Sequence, residues 1–364
     1  MKKVLKFILY IFICGAIYFL LIEFILRISL FSQYLNIDLL RQPWLYAGYS
    51  SDDDYWKLYY RLGGEFRPPN PKAIHPLLGW SQVYITKANP LGLQTETLEL
   101  MYSEKKKILF YGDSFVRGIG ALEYEIPRYM TDHFKDVAVI DLSCGGYGLD
   151  QMFLMFKLTH KKVIKPYIVF GILVEDDLDR SILSVRTGQK PYFIANNEKL
   201  ILKNVPINSD HQHYFDTHPV RIKSYLFRLI LRGFSKNIPL LKRHLEKVDE
   251  KTKINTKIID EIYAICKQEN YPLLFVLFHT NLQSVSWQEK FLKDKFQQLQ
   301  IPYIDTVDFL KEYADQYNLA LLDFYVLGGI GRGHHNDLGN KIISEGFLKY
   351  LSQAYNFKLD SDNL

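Results

Sequence analysis

Lys107-Ile108-Leu109-Phe110-Tyr111-Gly112-Asp113-Ser114-Phe115 is the stretch on which the fold of this chain turns. The apolar run from Ile108 to Tyr111 reads as a buried strand, and a helical pattern follows it. A serine at such a strand-to-helix turn lies beyond the carboxyl end of the strand, where open α/β sheets bind ligands. Its oxygen is also near the positive end of a helix. Gly112 permits the tight backbone such a turn needs. Gly, Asp and Ser are ordinary turn residues as well, so the tetrapeptide gains meaning from two other segments.

In the first, the strand-like Val137 to Leu142 runs into Cys144-Gly145-Gly146-Tyr147-Gly148-Leu149-Asp150-Gln151 and then a helical pattern. Paired glycines there can bring a backbone N–H close to a substrate oxygen. In the second, His334-His335-Asn336-Asp337-Leu338-Gly339 opens the helix-like Asn340 to Leu351. A histidine just before a helix is placed to serve a serine from another strand, and Asn336 or Asp337 is a natural cap for that helix.

The surrounding pattern repeats. Strand-like runs at 107–111, 137–142, 167–173, 272–278 and 302–304 alternate with helical patterns near 125–134, 150–161, 257–268 and 287–299. Such alternation predicts a parallel sheet covered by helices on both faces. An insertion from about 180 to 253 interrupts it. Tyr192 to Asn204, with Asn196-Asn197 at its centre, reads as a β-hairpin. Between Arg221 and Lys253 there are ten Lys or Arg against three acids, with Tyr225, Leu226, Leu229 and Ile230 interleaved. That pattern fits either a membrane-surface helix or a solvated basic face over a packing stripe.

Gly112-Asp113-Ser114, Gly146-Tyr147-Gly148-x-Asp150-Gln151 and His334-x-Asn336-x-x-Gly339, in that order and spacing, resemble the SGNH, or GDSL-type, hydrolases. The resemblance runs from Leu78-Gly79-Trp80 to Leu351 and includes Lys190-Pro191-Tyr192-Phe193. It implies a flavodoxin-like three-layer sandwich with about five parallel strands. It also implies Ser114 as nucleophile, His334 as base, and an oxyanion hole built from the Ser114 and Gly146 N–H groups. Two positions depart from the family pattern. Where an Asn side chain normally completes the hole, this chain has Asp176, which can donate only if protonated. The supporting acid three residues before the histidine is replaced by Gly331. A backbone carbonyl, or a carboxylate such as Asp177 or Asp179, is left to orient His334.

The ends and composition bound the rest. Lys2, Lys3 and Lys6 precede the uncharged Phe7 to Ile22, and apolar character resumes after Glu23. About twenty such residues span a bilayer. No small-x-small cleavage site follows the apolar core, as a signal peptide would require. The lysine-first order puts the N-terminus in the cytoplasm and the large domain in the periplasm or outside the cell. The expected organisation is an anchor over 1–30, an ordered stalk over 31–105, the hydrolase domain over 106–355 and a tail over 356–364. Of 364 residues 48% are hydrophobic and the net charge is +5. That modest charge, without a recognised motif, argues against a nucleic-acid binder. Cys14, Cys144 and Cys266 read as free thiols. Asp210-His211-Gln212-His213, with Asp216 and His218, reads as an exposed loop rather than a metal site. No cofactor is expected. The whole predicts a membrane-anchored serine esterase acting on acetyl or short acyl esters of envelope glycan or lipid. Acyl transfer with the same Ser–His pair, or a binding domain that has lost catalysis, are the alternatives.

Overall fold

The computed structural model describes residues 2–32, 34–35, 37–48, 52–63, 70–186, 188–196, 199–280, 286–329 and 331–360. They form two compact units. One comprises residues 69–182, 190–209 and 251–364, and the other residues 1–68, 183–189 and 210–250.

The first unit holds the strands β1 (Lys106–Tyr111), β2 (Val137–Asp141), β3 (Tyr167–Leu173), β4 (Tyr192–Asn196), β5 (Lys199–Lys203), β6 (Leu273–Phe278) and β7 (Tyr303–Asp305). Five of them form one parallel sheet in the order β2-β1-β3-β6-β7, the flavodoxin-like order. β4 and β5 form the antiparallel hairpin read from the sequence. The strands are near-continuous apolar runs because both sheet faces are covered. Leu109, Ile140, Phe170 and Phe275 pack with Phe153 and Phe156 of helix Leu149–Thr159, Ile258 of helix Val248–Glu269 and Phe296 of helix Trp287–Leu299. The alternate residues Ile108, Phe110, Val139 and Val276 pack with Met130 of helix Ile126–His133, Leu310 of helix Thr306–Tyr317 and Phe347 of helix Asp337–Tyr355.

Gly112 serves space rather than an unusual backbone angle. A Cβ there would come 2.1 Å from Val116 Cγ2 and 3.0 Å from the Gly171 carbonyl oxygen. It is thus the close approach of the Ser114–Arg117 helix to β3 that requires glycine. Ser114, Gly146 and Asp176 follow the three adjacent strands β1, β2 and β3, at the point where the strand order reverses. Ligands bind at such a point in open α/β sheets.

The second unit is helical, with helices Lys2–Phe31, Asp53–Arg61, His211–Thr217, Tyr225–Ser235 and Pro239–Leu245. Its core contains Leu26, Leu30, Tyr46, Leu58, Ile222 and Tyr225. Helix Lys2–Phe31 is long and apolar enough to cross a membrane, a length and composition shared by anchors and signal sequences. The loop expected around Asp210 to His218 is instead a helix. Asp210 caps it by accepting the His213 N–H at 2.9 Å, and the buried Tyr214 fixes its inner face. The alternating histidines obscured that N-cap signal. All three cysteines are free, and burial pushes the Cys144 and Cys266 thiols up to about 12.

Candidate active site

Asp113 shapes the turn that presents Ser114. Its Oδ1 accepts the Phe115 N–H at 2.8 Å, capping the short helix Ser114–Arg117. The Ser114 N–H is one of the donors that a helix start leaves without an intrahelical partner. From 220 residues further along the chain, His334 brings Nε2 to 2.8 Å from Ser114 Oγ. The imidazole stacks on Phe115, with ring centroids 4.3 Å apart.

Gly331 supplies a backbone acceptor to His334. Its carbonyl oxygen lies 3.0 Å from His334 Nδ1 and also accepts the His334 N–H at 3.0 Å. A carbonyl can only accept, so Nδ1 carries the proton and Nε2 faces Ser114 with its lone pair. The turn is held by paired bonds, Val326 N–H to the His334 carbonyl at 2.8 Å and Gly333 N–H to the Val326 carbonyl at 2.9 Å. Gly331 adopts φ +87°, which disfavours a side chain, and a Cβ would press on Ile119 at 3.2 Å. Burial lowers the His334 pKa below its ordinary value; Arg180 adds to that, while Asp113 and the Gly331 carbonyl oppose it.

Gly146 lies in a turn closed by the Tyr147 N–H on the Cys144 carbonyl at 3.1 Å. Trp80 Nε1 donates to the Gly145 carbonyl at 3.0 Å. In a trans peptide the C=O and N–H point in opposite directions. With the Gly145 carbonyl fixed on Trp80, the Gly146 N–H of the same peptide therefore points away from the indole. Trp80 itself packs edge-on against Tyr147, whose hydroxyl donates to the Trp80 carbonyl at 2.5 Å. The sequence marks Trp80 as part of the family-like region but gives no sign of this hydrogen bond. Its partner is 65 residues away.

Asp176 is held by the buried Arg180. Its Oδ2 accepts from Arg180 Nε at 3.1 Å and closely from Nη2. Arg180 Nη1 reaches Asp177 Oδ1 at 2.6 Å, the Tyr147 carbonyl at 2.8 Å and Asp113 Oδ2 at 2.9 Å. One guanidinium thus ties together the ends of β1, β2 and β3. Burial alone would lower the Arg180 pKa, but the carboxylates of Asp176, Asp177 and Asp113 outweigh it and raise it. Burial, with Asp113 close by, raises Asp177 well above the usual carboxylate range, against the pull of Arg180. Asp179 pairs with Lys251 Nζ at 2.8 Å, and burial raises its pKa to about 6. Asp177 and Asp179 are thus engaged by Arg180 and Lys251, and the atom recorded against His334 Nδ1 is the Gly331 carbonyl.

His335 points into the core. Both ring nitrogens are buried without a hydrogen-bond partner, against the rings of Phe115 and Tyr325. Burial, reinforced by His334 and His279, lowers its pKa to about 3. Asn336 caps the following helix by accepting the Gly339 N–H at 2.9 Å.

His279, Glu289 and Asp305 each place a possible ligand atom within 4.8 Å of the others. An ammonium already occupies the group, since Lys293 Nζ lies 2.8 Å from both Glu289 Oε1 and Asp305 Oδ2. Burial would raise the Asp305 pKa, but His279 and Lys293 hold it down near 2.

No family model matches the chain, and no curated protein matches it in sequence. Several solved structures resemble it. A two-domain esterase active on acetylated mannans, crystallised with mannopentaose, matches with 9% identity and a TM-score of 0.38 over 72% of this chain. The match spans about half of that protein, 52% of its length. An acetylxylan esterase from Geobacillus stearothermophilus shares 14% identity, covering 69% of this chain and 95% of its own, with a TM-score of 0.35. A putative lipolytic protein of the G-D-S-L family from Desulfitobacterium hafniense shares 10% identity over 67% of this chain and 99% of its own, also with a TM-score of 0.35.

Proposed function

We propose that the chain is a membrane-anchored serine acyl hydrolase whose nucleophile is Ser114 and whose general base is His334. The observation that carries this reading is the 2.8 Å contact between Ser114 Oγ and His334 Nε2, on an imidazole whose other nitrogen is held by the Gly331 carbonyl. Ser114 Oγ attacks an ester carbonyl carbon while Nε2 takes its proton. The oxyanion is received by the N–H groups of Ser114 and Gly146. Collapse breaks the ester C–O bond, and His334 returns the proton to the departing alcohol. Water then attacks the acyl-serine, again giving its proton to Nε2; collapse breaks the bond between the acyl carbon and Ser114 Oγ, and His334 returns the proton to Oγ as the free acid leaves.

The carbonyl at Gly331 accounts for tolerance of the missing acid. Where an amide replaces the acid of a Ser-His-Asp triad, the activity loss of about ten-thousandfold comes from the wrong histidine tautomer. A carbonyl enforces the right tautomer and forgoes only the charge stabilisation of the imidazolium. Asp176 lines the same hole in this reading, its charge balanced by Arg180.

The substrate we propose is an acetyl or short acyl ester on an envelope glycan or lipid. The family resemblance and a long apolar N-terminal helix that opens with Lys2, Lys3 and Lys6 support it. Transfer of the acyl group to a second hydroxyl would use the same acyl-serine. Labelling the full chain with a fluorophosphonate tests the core of the proposal. Prompt labelling of the wild type, lost in Ser114→Ala, is expected. A folded wild type that resists the reagent would refute nucleophilic activation and favour a binding role for the cleft.

A further inference from the structure

Glu23 is the one charged residue between Phe7 and Leu26, yet the residue is only 8% exposed. It accepts from Ser224 Oγ at 3.0 Å, the Tyr225 N–H at 3.1 Å and the Leu226 N–H at 2.8 Å. These donors lie at the start of helix Tyr225–Ser235, where backbone N–H groups lack partners and the helix dipole favours a negative charge. Arg27 adds a second tie, with Nε on Glu23 at 2.7 Å and Nη2 on the Lys223 carbonyl at 2.6 Å. Helix Tyr225–Ser235 is therefore fastened to the long apolar helix at one defined level.

That level has a meaning if the long helix crosses a bilayer. From Lys2 to Glu23 the rise is about 32 Å at 1.5 Å per residue, close to the roughly 30 Å hydrocarbon thickness. With the lysines at one interface, Glu23 and the start of helix Tyr225–Ser235 reach the other. The helix there carries more apolar surface than its own unit covers. Tyr225, Leu226 and Leu229 pack on the core of that unit. Phe227, Ile230 and Phe234, at spacings of three and four, are instead 52%, 41% and 61% exposed. Ile238 and Leu240 beyond them are exposed as well. From Arg221 to Leu245 there are seven Lys or Arg and no acid. Exposed Tyr34 and Trp44, in the chain that leaves the long helix, add rings of the kind that gather at membrane interfaces.

We propose that helix Tyr225–Ser235 lies in the surface of the leaflet from which helix Lys2–Phe31 emerges. Phe227, Ile230 and Phe234 enter the acyl boundary, and the exposed Lys223 and Lys236 at the two ends of the helix meet anionic headgroups. Apolar residues seated at that depth, flanked by cations, fit a lipid surface. The inference rests on the spanning role given above to helix Lys2–Phe31.

The test uses the full chain in vesicles of phosphatidylcholine with phosphatidylglycerol. Cys14→Ser leaves only the buried Cys144 and Cys266. Onto this background Ile230→Cys, Phe234→Cys and, as a control on the other unit, the exposed Tyr102→Cys are added singly and labelled with nitrobenzoxadiazole. The probes at 230 and 234 are expected to emit to the blue of the Tyr102 probe. They should also be quenched severalfold more by lipid spin-labelled near the head of its acyl chain, and less in vesicles lacking phosphatidylglycerol. Water-like emission at 230 and 234, in a chain that resists alkaline carbonate extraction, would overturn the surface inference and leave the anchor intact. Release of the chain by carbonate would remove the anchor, and this inference with it. A blue shift without lipid quenching would also overturn it, assigning the stripe to a protein neighbour such as a second copy. Quenching independent of phosphatidylglycerol would overturn the headgroup assignment.

Discussion

Trp80→Phe is the substitution that most directly probes how the proposed oxyanion hole is set. It removes the 3.0 Å hydrogen bond from Nε1 to the Gly145 carbonyl while keeping an aromatic ring against Tyr147. Gly145 is exposed, so water can reach its carbonyl and the loss is that of one hydrogen bond, about 0.5–1.5 kcal/mol. That penalty now falls on the one peptide orientation that points the Gly146 N–H away from residue 80. A bias of about 0.5–1.5 kcal/mol corresponds to roughly 2- to 12-fold in population. Losing an oxyanion donor outright costs about a hundred- to a thousandfold in kcat. We therefore expect kcat on a small acetyl ester to fall by about two- to twelvefold, with KM little changed, because the bond matters only once the oxyanion forms. Steady-state hydrolysis gives both constants, fluorophosphonate labelling should slow in parallel, and thermal unfolding checks that the variant is folded. A folded variant whose kcat equals that of the parent would show that Trp80 does not hold this peptide, and a change in KM alone would move its role to substrate binding.

Four further outcomes follow from the same geometry. His334→Ala should abolish fluorophosphonate labelling as fully as Ser114→Ala, whereas His335→Leu should keep most of it; the reverse would exchange the two histidines. Because His334 must be neutral to act and burial holds its pKa below 6.5, kcat/KM should rise with pH along a limb lying below 6.5 and stay level through neutrality, and a limb centred above 7 would contradict the buried, carbonyl-bound imidazole. His335 stays neutral down to about pH 3 when folded but takes a proton near 6.5 when unfolded, so it withdraws stability as pH falls, by up to about 1.4 kcal/mol per pH unit; His335→Leu should flatten the acid side of the stability profile, and an unchanged slope would refute the assignment. Asp176→Asn keeps an acceptor for Arg180 and adds an amide donor, so esterase activity should hold or rise, with a ceiling of about a thousandfold; a clear loss in the folded variant would place Asp176 outside the oxyanion hole.

The parts legible in the sequence are those that depend on a pattern of residue types. Strands β1, β2, β3 and β6 announce themselves because a parallel strand buried on both faces must be a short, largely apolar run, as at Leu273–Phe278, whereas the edge strand β7, with only Ile304 buried, leaves a weaker signal. The register His334-x-Asn336-x-x-Gly339 separates His334 from His335, and the two stand apart physically, one on Ser114 and the other in the core. The Asp176–Arg180 pair was also open to inspection, since residues four apart on a helix are neighbours. Its effect was not. Arg180 also reaches Asp113 and the Tyr147 carbonyl, partners 67 and 33 residues away that no local pattern brings together.

What stayed out of reach belongs to the backbone. The Gly146 N–H was legible from the paired glycines, but the other backbone atom on which the proposed chemistry depends, the Gly331 carbonyl oxygen, belongs to a residue without a side chain, and spacing does not reveal which carbonyl would meet His334. Gly331 sits where an acid is expected and so reads as a loss. Its φ of +87° and the nearby Ile119 leave little room for a carboxylate on that backbone, and the same backbone presents an acceptor to Nδ1 at 3.0 Å. The geometric requirement on His334 is an acceptor that fixes the tautomer, and a carbonyl meets it as an aspartate would. The charge an aspartate would add is the part forgone, which is why the acid limb of the pH profile, set by how weakly the site holds a proton on His334, is the measurable trace of the substitution.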